Sequence, residues 1–354
     1  MSNTLTNIMP KILARGLMAL RQRVIMPRLV NNSYSVDAAQ KGDVINVPIP
    51  VDKDATDVTP SNVPPVPSNS TFHNVQIPLD QWKHSDFALT DKEIQQIDRD
   101  KHFIPMQMDT SIKALANAVN QHLFSKYLKV FGYVGTAGTT PFTSDITAAT
   151  NLKKVLNQQL CPREDRRAVI DFSAEANATA LAPFRDASQS TDPNVIIEGE
   201  IGRKVGFNWF ADDHVPTHTA GTGSGYLINN GGGYAAGVDT VTLDTGTGTI
   251  VVGDIVSFAG HSQTYAVTSA LAANQISFYP ALQAAVADNA AVTVRASHVV
   301  NLGFHRDAFA FATRPLAAST VDVELGNKIM SLQDPKSGLV LRLEVSRQHK
   351  QTVN

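Results

Sequence analysis

The strongest constraint on the fold of this chain lies in residues 225–297, where the composition changes sharply. This stretch has four acidic residues and one basic residue, Arg295, among glycine, threonine, valine and alanine. Short segments that alternate apolar and polar residues follow one another, separated by Gly or Asn/Asp turns, at 238–243, 250–258, 264–268, 275–279 and 292–295. Short strands with turn signals at this spacing predict a small antiparallel barrel or sandwich.

A second pair of strands is predicted near the start of the chain. Residues 42–50 and 72–79 alternate in the manner of strands, and they flank a polar segment, residues 52–71, that contains four prolines. Such a segment has too little apolar surface to order itself. We therefore predict a long projecting hairpin with a polar tip.

Helical patterns on either side of the barrel segment make the predicted fold class α+β. Thr90 resembles the N-cap of a short helix, and apolar residues at intervals of three or four predict a long helix over residues 105–131, about 40 Å in length. Helices over 145–159 and 173–182, with a buried strand at 166–172 between them, predict an α/β layer. Residues 339–345 alternate and predict a closing strand that pairs with the early part of the chain.

The first 35 residues are basic, with no acidic residue before Asp37. Leu13, Leu17, Leu20 and Val24 form one apolar stripe of a predicted helix, which Pro27 would end. A basic amphipathic helix could lie on a membrane surface, dock on a partner, or pack on its own domain. The basic residues are Lys11, Arg15, Arg21, Arg23 and Arg28.

Composition excludes several functional classes. With 354 residues, 43% hydrophobic and 18% charged, the chain is expected to fold, and a net charge of −2 argues against a DNA-binding protein. One cysteine, Cys161, excludes an intrachain disulfide framework and a cysteine-based zinc cluster, which favours folding in a reducing cytoplasm. No apolar run reaches the length of a spanning helix, so no membrane partner is expected.

Candidate chemical sites are few. Asp212, Asp213, His214 and His218 include two histidines four residues apart, but Pro216 lies between them and makes a metal-binding helix improbable. The glycine-rich runs lack the Lys-Ser/Thr of a phosphate-binding loop. We therefore expect no catalytic residue, no cofactor and no metal, and we interpret the chain as a protein that is not an enzyme.

Residues 301–315, NLGFHRDAFAFATRP, combine alternating apolar residues with a central charged triplet. From the residues alone, the segment is either an edge strand with a salt-bridged bend or a strand that presents a polar patch to a partner.

This segment and an upstream one together resemble the major coat proteins of tailed bacteriophages, in the branch of the coat of phage P22. Family members have a looser upstream segment, an insert of variable length, and then a nearly contiguous return segment. The matching residues here are Gly202, Gly206, Phe207, Val215, Pro216, His218, Thr219 and Gly221, followed by Phe304, His305, Arg306, Asp307, Ala308, Phe309, Ala312, Arg314, Pro315 and Leu316.

The resemblance implies an HK97-like capsid fold divided into six regions. These would be an N-terminal arm (1–35), an extended loop (36–83), a peripheral domain with the long spine helix (84–131), an axial-type α/β domain (132–220), an inserted β-barrel (221–297) and a return to the core with the closing strand (298–354).

The resemblance also implies a structural role and a set of partners. The chain would self-assemble as hexamers and pentamers into the icosahedral shell that encloses the phage genome, through a scaffolded procapsid. Its partners would be further copies of itself, a scaffolding protein, a portal protein, packaged double-stranded DNA bound without sequence specificity, and a decoration protein. It would reside in the virion, and in the host cytoplasm during assembly.

Candidate contacts with other subunits or with a scaffold are the five basic residues of the arm and the charged loop residues Asp52, Lys53, Asp54 and Asp57. The alternative function is a non-viral binding module whose β-rich insert recognises a ligand such as a carbohydrate. That function would require an aromatic binding face, whereas the aromatic residues of the insert are spread along it: Tyr226, Tyr234, Phe258, Tyr265, Phe278 and Tyr279.

Overall fold

The structure is a computed structural model that divides the chain into two compact units. The first unit combines residues 1–116 with residues 309–354, and the second is residues 117–308. The residues described are 10, 12–14, 16, 24–34, 44–50, 55, 57, 60, 72–90, 92, 95–96, 106–185, 201–314, 328–334, 338–348 and 351–353.

The strand pairing of the predicted hairpin is confirmed in the first unit, whereas its predicted polar tip, apart from residues 55, 57 and 60, lies outside the described residues. Strand β1 (Val44–Pro50) pairs antiparallel with strand β2 (Phe72–Pro78), in a register that sets Val47 opposite Val75. The two strands form a sheet of their own.

A second sheet of the first unit contains the predicted closing strand. Strands β3 (Ala88–Thr90), β16 (Lys328–Gln333), β17 (Val340–Gln348) and β18 (Gln351–Val353) lie in the order β16-β17-β18-β3. The closing strand is β17, but its predicted pairing with the early part of the chain is wrong, because β18 intervenes and pairs with β3. Thr90 is the last residue of β3, and residues 92, 95 and 96 are helical, as predicted.

The N-terminal helix ends earlier than predicted. Residues 10, 12–14 and 16 are helical, but Val24 and Ile25 are not. A new short helix, α1 (Met26–Leu29), holds Pro27 in its first turn, where the missing N–H of proline has no cost. Pro27 therefore begins a helix rather than ending one, and Leu17 and Leu20 lie outside the described residues.

The long helix is also shorter than predicted. Helix α2 (Met106–Phe124) has 19 residues and is about 28 Å long. It is followed by a 3-10 turn, Ser125–Lys129, so the predicted end at residue 131 is wrong. Its buried stripe comprises Ile112, Ala116, Asn120, Leu123 and Phe124, and it includes one polar residue.

In the second unit, a four-stranded sheet packs with helices in a mixed α/β layer. Strands β4 (Arg166–Ile170), β5 (Arg203–Lys204), β6 (Phe207–Ala211) and β15 (Leu302–His305) have the order β15-β4-β6-β5, with β4 and β6 parallel. The helices are α3 (Thr147–Gln158), α4 (Phe172–Ala180) and α5 (Ala182–Arg185). Phe142, Phe184 and Trp209 meet edge to face in the core of the layer.

The barrel segment folds as predicted into a nearly closed antiparallel sheet. Its strands are β8 (Leu227–Ile228), β9 (Thr240–Asp244), β10 (Ile255–Phe258), β11 (Tyr265–Ala272), β12 (Gln275–Tyr279) and β13 (Val292–Val294), in the order β13-β10-β11-β12-β9-β8. The two edges meet, because Ile228 N donates to Ala290 O at 3.0 Å and Val292 N donates to Tyr226 O at 2.9 Å. The short strand β8 had not been predicted.

The inward residues of these strands form a continuous apolar core. Phe258, Tyr265 and Phe278 contact one another with ring centroids 5.2 Å apart. Alternate burial along β9 and β12 confirms the period-2 pattern from which the barrel was predicted.

We expect Phe258→Ala to lower the free energy of unfolding by about 4 kcal/mol, because it removes a buried ring and leaves a cavity. Thr268→Ala, at an exposed position of β11, is the matched control and should change it by less than about 0.5 kcal/mol. Denaturant titration measures both. Equal small effects would contradict a packed barrel interior.

Candidate assembly surface and the neck of the barrel

The chain enters and leaves the barrel through one short two-stranded ladder, here called the neck. Strand β7 (Thr217–His218) leads in, strand β14 (His298–Val299) leads out, and His218 lies opposite His298. Val300 N donates to Pro216 O at 2.9 Å and extends the ladder. Two residues of the upstream family segment, Pro216 and His218, are therefore part of the neck.

His218 is buried and hydrogen-bonded through both ring nitrogens. Its Nε2 lies 2.9 Å from Asp254 Oδ1, and its Nδ1 lies 2.9 Å from the hydroxyl of Tyr127. Because a carboxylate only accepts, we assign the proton to Nε2, and in the neutral ring Nδ1 then accepts from Tyr127. The network joins the 3-10 turn after helix α2, the neck and the barrel.

Asp254 is fully buried, and each of its oxygens has donors. Besides His218, the backbone N–H groups of Gly221 (3.2 Å) and Val251 (2.8 Å) donate to the carboxylate. A buried charge is tolerated only when it is paired and hydrogen-bonded in this way. The Asp254 carboxylate therefore links Gly221, at the start of the barrel segment, to the turn at residues 251–254 later in that segment.

The turn that contains Asp254 also packs closely against the 3-10 turn Ser125–Lys129. Gly253 has φ of +89°, and a Cβ there would collide with the side chain of Leu128 and crowd the ring of His218. Only glycine fits such a close approach at positive φ. Thr264 Oγ1 adds a hydrogen bond of 2.7 Å to Phe131 O.

A second aromatic cluster borders the neck. The ring of His298 packs edge-on against Tyr133 at 5.2 Å, and the guanidinium of Arg295 lies 5.5 Å above the ring of Tyr133. The His218 and His298 rings are 5.6 Å apart. These contacts order both strands of the neck.

The Asp212–His214 group is a hydrogen-bonded cluster that ties helix α2 to the end of β6. Asp212 Oδ2 accepts from Asn120 Nδ2 at 2.7 Å, and both side chains are buried. Asp212, Asp213 and His214 lie close enough together to hold a metal ion. His214 Nδ1 lies 3.1 Å from Asp212 Oδ1 and 2.6 Å from Asp213 Oδ1, so the three side chains also contact one another through hydrogen bonds. His218, grouped with them in the sequence, is in the neck.

The return segment forms an edge strand that ends in a bend, as predicted, and whether it presents a polar patch to a partner stays a prediction. Strand β15 pairs only with β4, and a 3-10 turn, Arg306–Ala308, follows. Asp307 N donates to His305 Nδ1 at 3.2 Å. Phe304 is buried.

The charges of the bend act on strand β4. Burial, and then repulsion by Arg306, lowers the pKa of Arg167, while Asp165 and Asp307 oppose that shift. Arg306 N also donates to Asp165 O at 3.2 Å.

In the first unit, the continuation of this segment joins the N-terminal part of the chain. Asn31 N donates to Phe309 O at 3.0 Å, and Phe311 N donates to Asn31 O at 2.8 Å. Arg314 lies among the described residues at a partly buried position, and Pro315 lies outside them.

One face of the β1–β2 hairpin is mostly apolar, whereas the other carries polar residues together with the exposed Val44 and Phe72. Residues that pair directly share a face, so Ile45, Val47 and Ile49 of β1 lie beside Val75 and Ile77 of β2. The other face carries Asn46, Asn74 and Gln76, with Gln76 Nε2 donating to Asn46 Oδ1 at 3.2 Å. Among residues 44–49 and 72–78, no side chain is buried. Within the part of the chain that the structure describes, the apolar face is therefore at most partly covered.

The predicted contact residues are only partly described. Arg28 is exposed in α1, and Asp57 is exposed between the hairpin strands. Lys11, Arg15, Arg21, Arg23, Asp52, Lys53 and Asp54 lie outside the described residues. Sequence reasoning missed Tyr127 and Asp254, which lie 91 and 36 residues from His218. The only sequence signal for Asp254 was that it is one of four acidic residues in a nearly uncharged stretch, which does not distinguish it from the other three.

The aromatic residues of the barrel do not form a binding face. Tyr226, Phe258, Tyr265 and Phe278 belong to its buried core, and Tyr234 packs against that core. Only Tyr279 among these six is exposed, at 54%. The alternative function as an aromatic carbohydrate-binding module therefore lacks the surface that it would need.

No family model matches the chain, and no curated protein matches it. Solved structures from phages, among them the following three, are weakly similar to the chain. "Mycobacterium phage Che8" is 14% identical with a TM-score of 0.42, over 94% of this chain and 85% of that one. "Capsid structure of the Cyanophage P-SCSP1u" is 14% identical with a TM-score of 0.40, over 82% and 88%. "Asymmetric unit of bacteriophage PhiM1 mature capsid" is 13% identical with a TM-score of 0.36, over 54% and 64%.

TM-scores this low do not establish a common fold, so the function has to be argued from the chain itself. None of the helices in the described part of the chain combines the length and the apolar character that crossing a membrane requires.

We expect Asp254→Ala to lower the free energy of unfolding by about 3 kcal/mol, because the buried His218 ring and two partly buried backbone N–H groups lose their acceptor. Tyr127→Phe removes a single hydrogen bond and should cost about 1 kcal/mol. Asp239→Ala, at an exposed barrel position, serves as the control in the same denaturant titrations. If Asp254→Ala matched this control, Asp254 would not be an anchor.

The stability of the chain should also depend on Tyr127 at alkaline pH. Burial, together with the negative charge of Asp254, raises the pKa of Tyr127. Above about pH 10 the unfolded chain loses this proton while the folded chain keeps it, so stability falls as pH rises and is fully present at lower pH. Tyr127→Phe should lose less stability than the wild type between about pH 9 and pH 11 in urea titrations. Parallel losses in both proteins would contradict the assignment.

Proposed function

We propose that this chain is the major capsid protein of a tailed bacteriophage and self-assembles into the icosahedral shell around the phage genome. The observation that carries the proposal is the partly exposed apolar face of the β1–β2 hairpin. The resemblance of residues 202–221 and 304–316 to phage coat proteins supports it independently.

The hairpin is a poor structure for an isolated subunit. A two-stranded hairpin is marginally stable in water, because it has no second layer on which to bury its apolar face. Val75 and Ile49 are each 47% exposed, and Phe72 on the opposite face is 63% exposed. Apolar surface of this kind, rimmed by polar residues, marks a site of protein–protein contact.

The edges of the hairpin direct that contact to its face. Pro48 and Pro50 in β1 and Pro78 in β2 have no N–H to donate, so another strand adds poorly to either edge. The partner therefore covers the apolar face without extending the sheet. This arrangement favours a defined contact between subunits over open-ended strand aggregation.

A second copy of the chain is the partner that this surface fits best. When a surface docks onto a different surface of the next copy, the contact repeats and forms rings if the rotation closes. A net charge of −2 keeps the repulsion between many crowded copies small. Hexamers and pentamers built from one chain are assemblies of this kind.

The finer parts of the proposal follow from the family resemblance. They are an HK97-like fold of the branch of phage P22, with the barrel as an insertion domain and the neck as its attachment. Assembly would proceed in the host cytoplasm through a scaffolded procapsid, with the basic arm, including Arg28, as a scaffold contact. A portal protein, packaged DNA without sequence-specific contacts and a decoration protein complete the proposed partners of the shell.

The hairpin face can be tested with two neighbouring substitutions. Val75→Asp places a charge on the apolar face and should abolish assembly, because a desolvated charge opposes docking. Asn74→Asp adds the same charge on the polar face and should leave assembly intact. The two variants and the wild type are expressed separately and in parallel. Sedimentation velocity and electron microscopy then measure the difference in assembly between them.

Both substitutions are at exposed positions and should change subunit stability by less than about 0.5 kcal/mol, which thermal melting checks. Assembly of Val75→Asp at the wild-type level would refute the role of the hairpin face.

A further inference from the structure

Leu160 is the most exposed large apolar residue in the described part of the chain. Its exposed fraction is 91%, and it lies just after helix α3 with a φ of +55°. This left-handed backbone conformation is unfavourable for leucine, because the Cβ lies too close to the following carbonyl oxygen. Both its exposure and its conformation are therefore unfavourable in the isolated subunit.

The backbone around Leu160 forms a Schellman motif. Cys161 N donates to Leu156 O at 3.0 Å, and Leu160 N donates to Asn157 O at 3.1 Å. Leu160 is thus the left-handed residue that ends the helix, a position normally taken by glycine or asparagine. Glycine would satisfy the same hydrogen bonds without strain.

Side-chain hydrogen bonds hold the loop that contains Leu160. Arg166 is buried, and its guanidinium donates to Cys161 O at 2.6 Å and to Pro162 O at 2.7 Å. Gln159 Nε2 donates to Gln263 Oε1 of the barrel at 2.8 Å. The leucine side chain is therefore presented from a fixed backbone.

We propose that Leu160 is an assembly contact, which becomes buried against a second copy of this chain. The inference rests on the proposed function and adds a specific contact to it, on a different unit from the hairpin.

The surroundings of Leu160 favour a protein partner over a small ligand or a membrane. A single convex side chain does not enclose a ligand. The exposed residues that follow, Arg163, Glu164 and Asp165, carry both signs of charge, which suits the polar rim of a protein interface and not an anionic membrane surface. A second copy supplies partly exposed apolar surface, as the hairpin shows.

Three substitutions at Leu160 distinguish the loss of the apolar contact from the relief of backbone strain at the end of helix α3. Leu160→Gly and Leu160→Asn both relieve the left-handed strain and remove the apolar side chain, whereas Leu160→Met keeps an apolar side chain in the same place. We expect the glycine variant to melt about 2 °C higher than the wild type as a subunit. We also expect both the glycine and asparagine variants to need at least about tenfold more protein to assemble. Leu160→Met should assemble like the wild type.

The only cysteine of the chain provides a second readout without mutation. Cys161 is partly exposed, so a maleimide should label it in free subunits. Labelling should slow by at least about tenfold in assembled wild-type protein, because burial of the adjacent leucine blocks access.

Normal assembly of Leu160→Gly and Leu160→Asn, or equal labelling before and after assembly, would overturn the contact while leaving the capsid proposal intact. Failure of the wild type itself to assemble would overturn both.

Discussion

The second unit depends on a geometric constraint: where a barrel interrupts a chain, the segments that enter and leave the barrel must lie close together. The neck meets this constraint with two residues from each side, a ladder too short to be stable by itself. The buried network of Tyr127, His218 and Asp254 adds what the ladder lacks, since it fixes the incoming strand to both the 3-10 turn and the barrel. A polar network in such a place gives a defined orientation, because each donor has one acceptor in reach.

The chain also exposes apolar side chains at two sites, although burial of apolar surface is what stabilises a folded protein. The hairpin leaves Ile49 and Val75 half exposed, and the end of helix α3 holds Leu160 almost fully in solvent. Prolines in the hairpin strands oppose the addition of a further strand, and exposed charged residues follow Leu160. Exposed apolar groups in such surroundings are best explained by a partner that covers them, and a second copy of the chain is the simplest one.

Local patterns predicted several of the longer strands, because period-2 alternation reports burial directly: β12 was placed to the residue at 275–279, whereas the strand predicted over 250–258 begins only at Ile255. The short strands β3, β7, β8 and β14 were not predicted, because two or three residues carry no such period. The helix ends were predicted less accurately. Pro27 ends or begins a helix with equal ease, and helix α2 tightens into a 3-10 turn after Phe124, which no residue type announces. The polar pairs were beyond prediction, since Asn120 and Asp212 are 92 residues apart. His218 was singled out by the family resemblance, but its partners depend on how the barrel docks.

The most direct measurement is electron microscopy of the wild-type chain, purified after expression alone and after expression with a candidate scaffolding protein. Self-assembly predicts closed shells, or sheets of hexamers, in at least one of the two samples, with the hairpin of each subunit lying against its neighbour. A stable monomer of 38.1 kDa in both samples would contradict it.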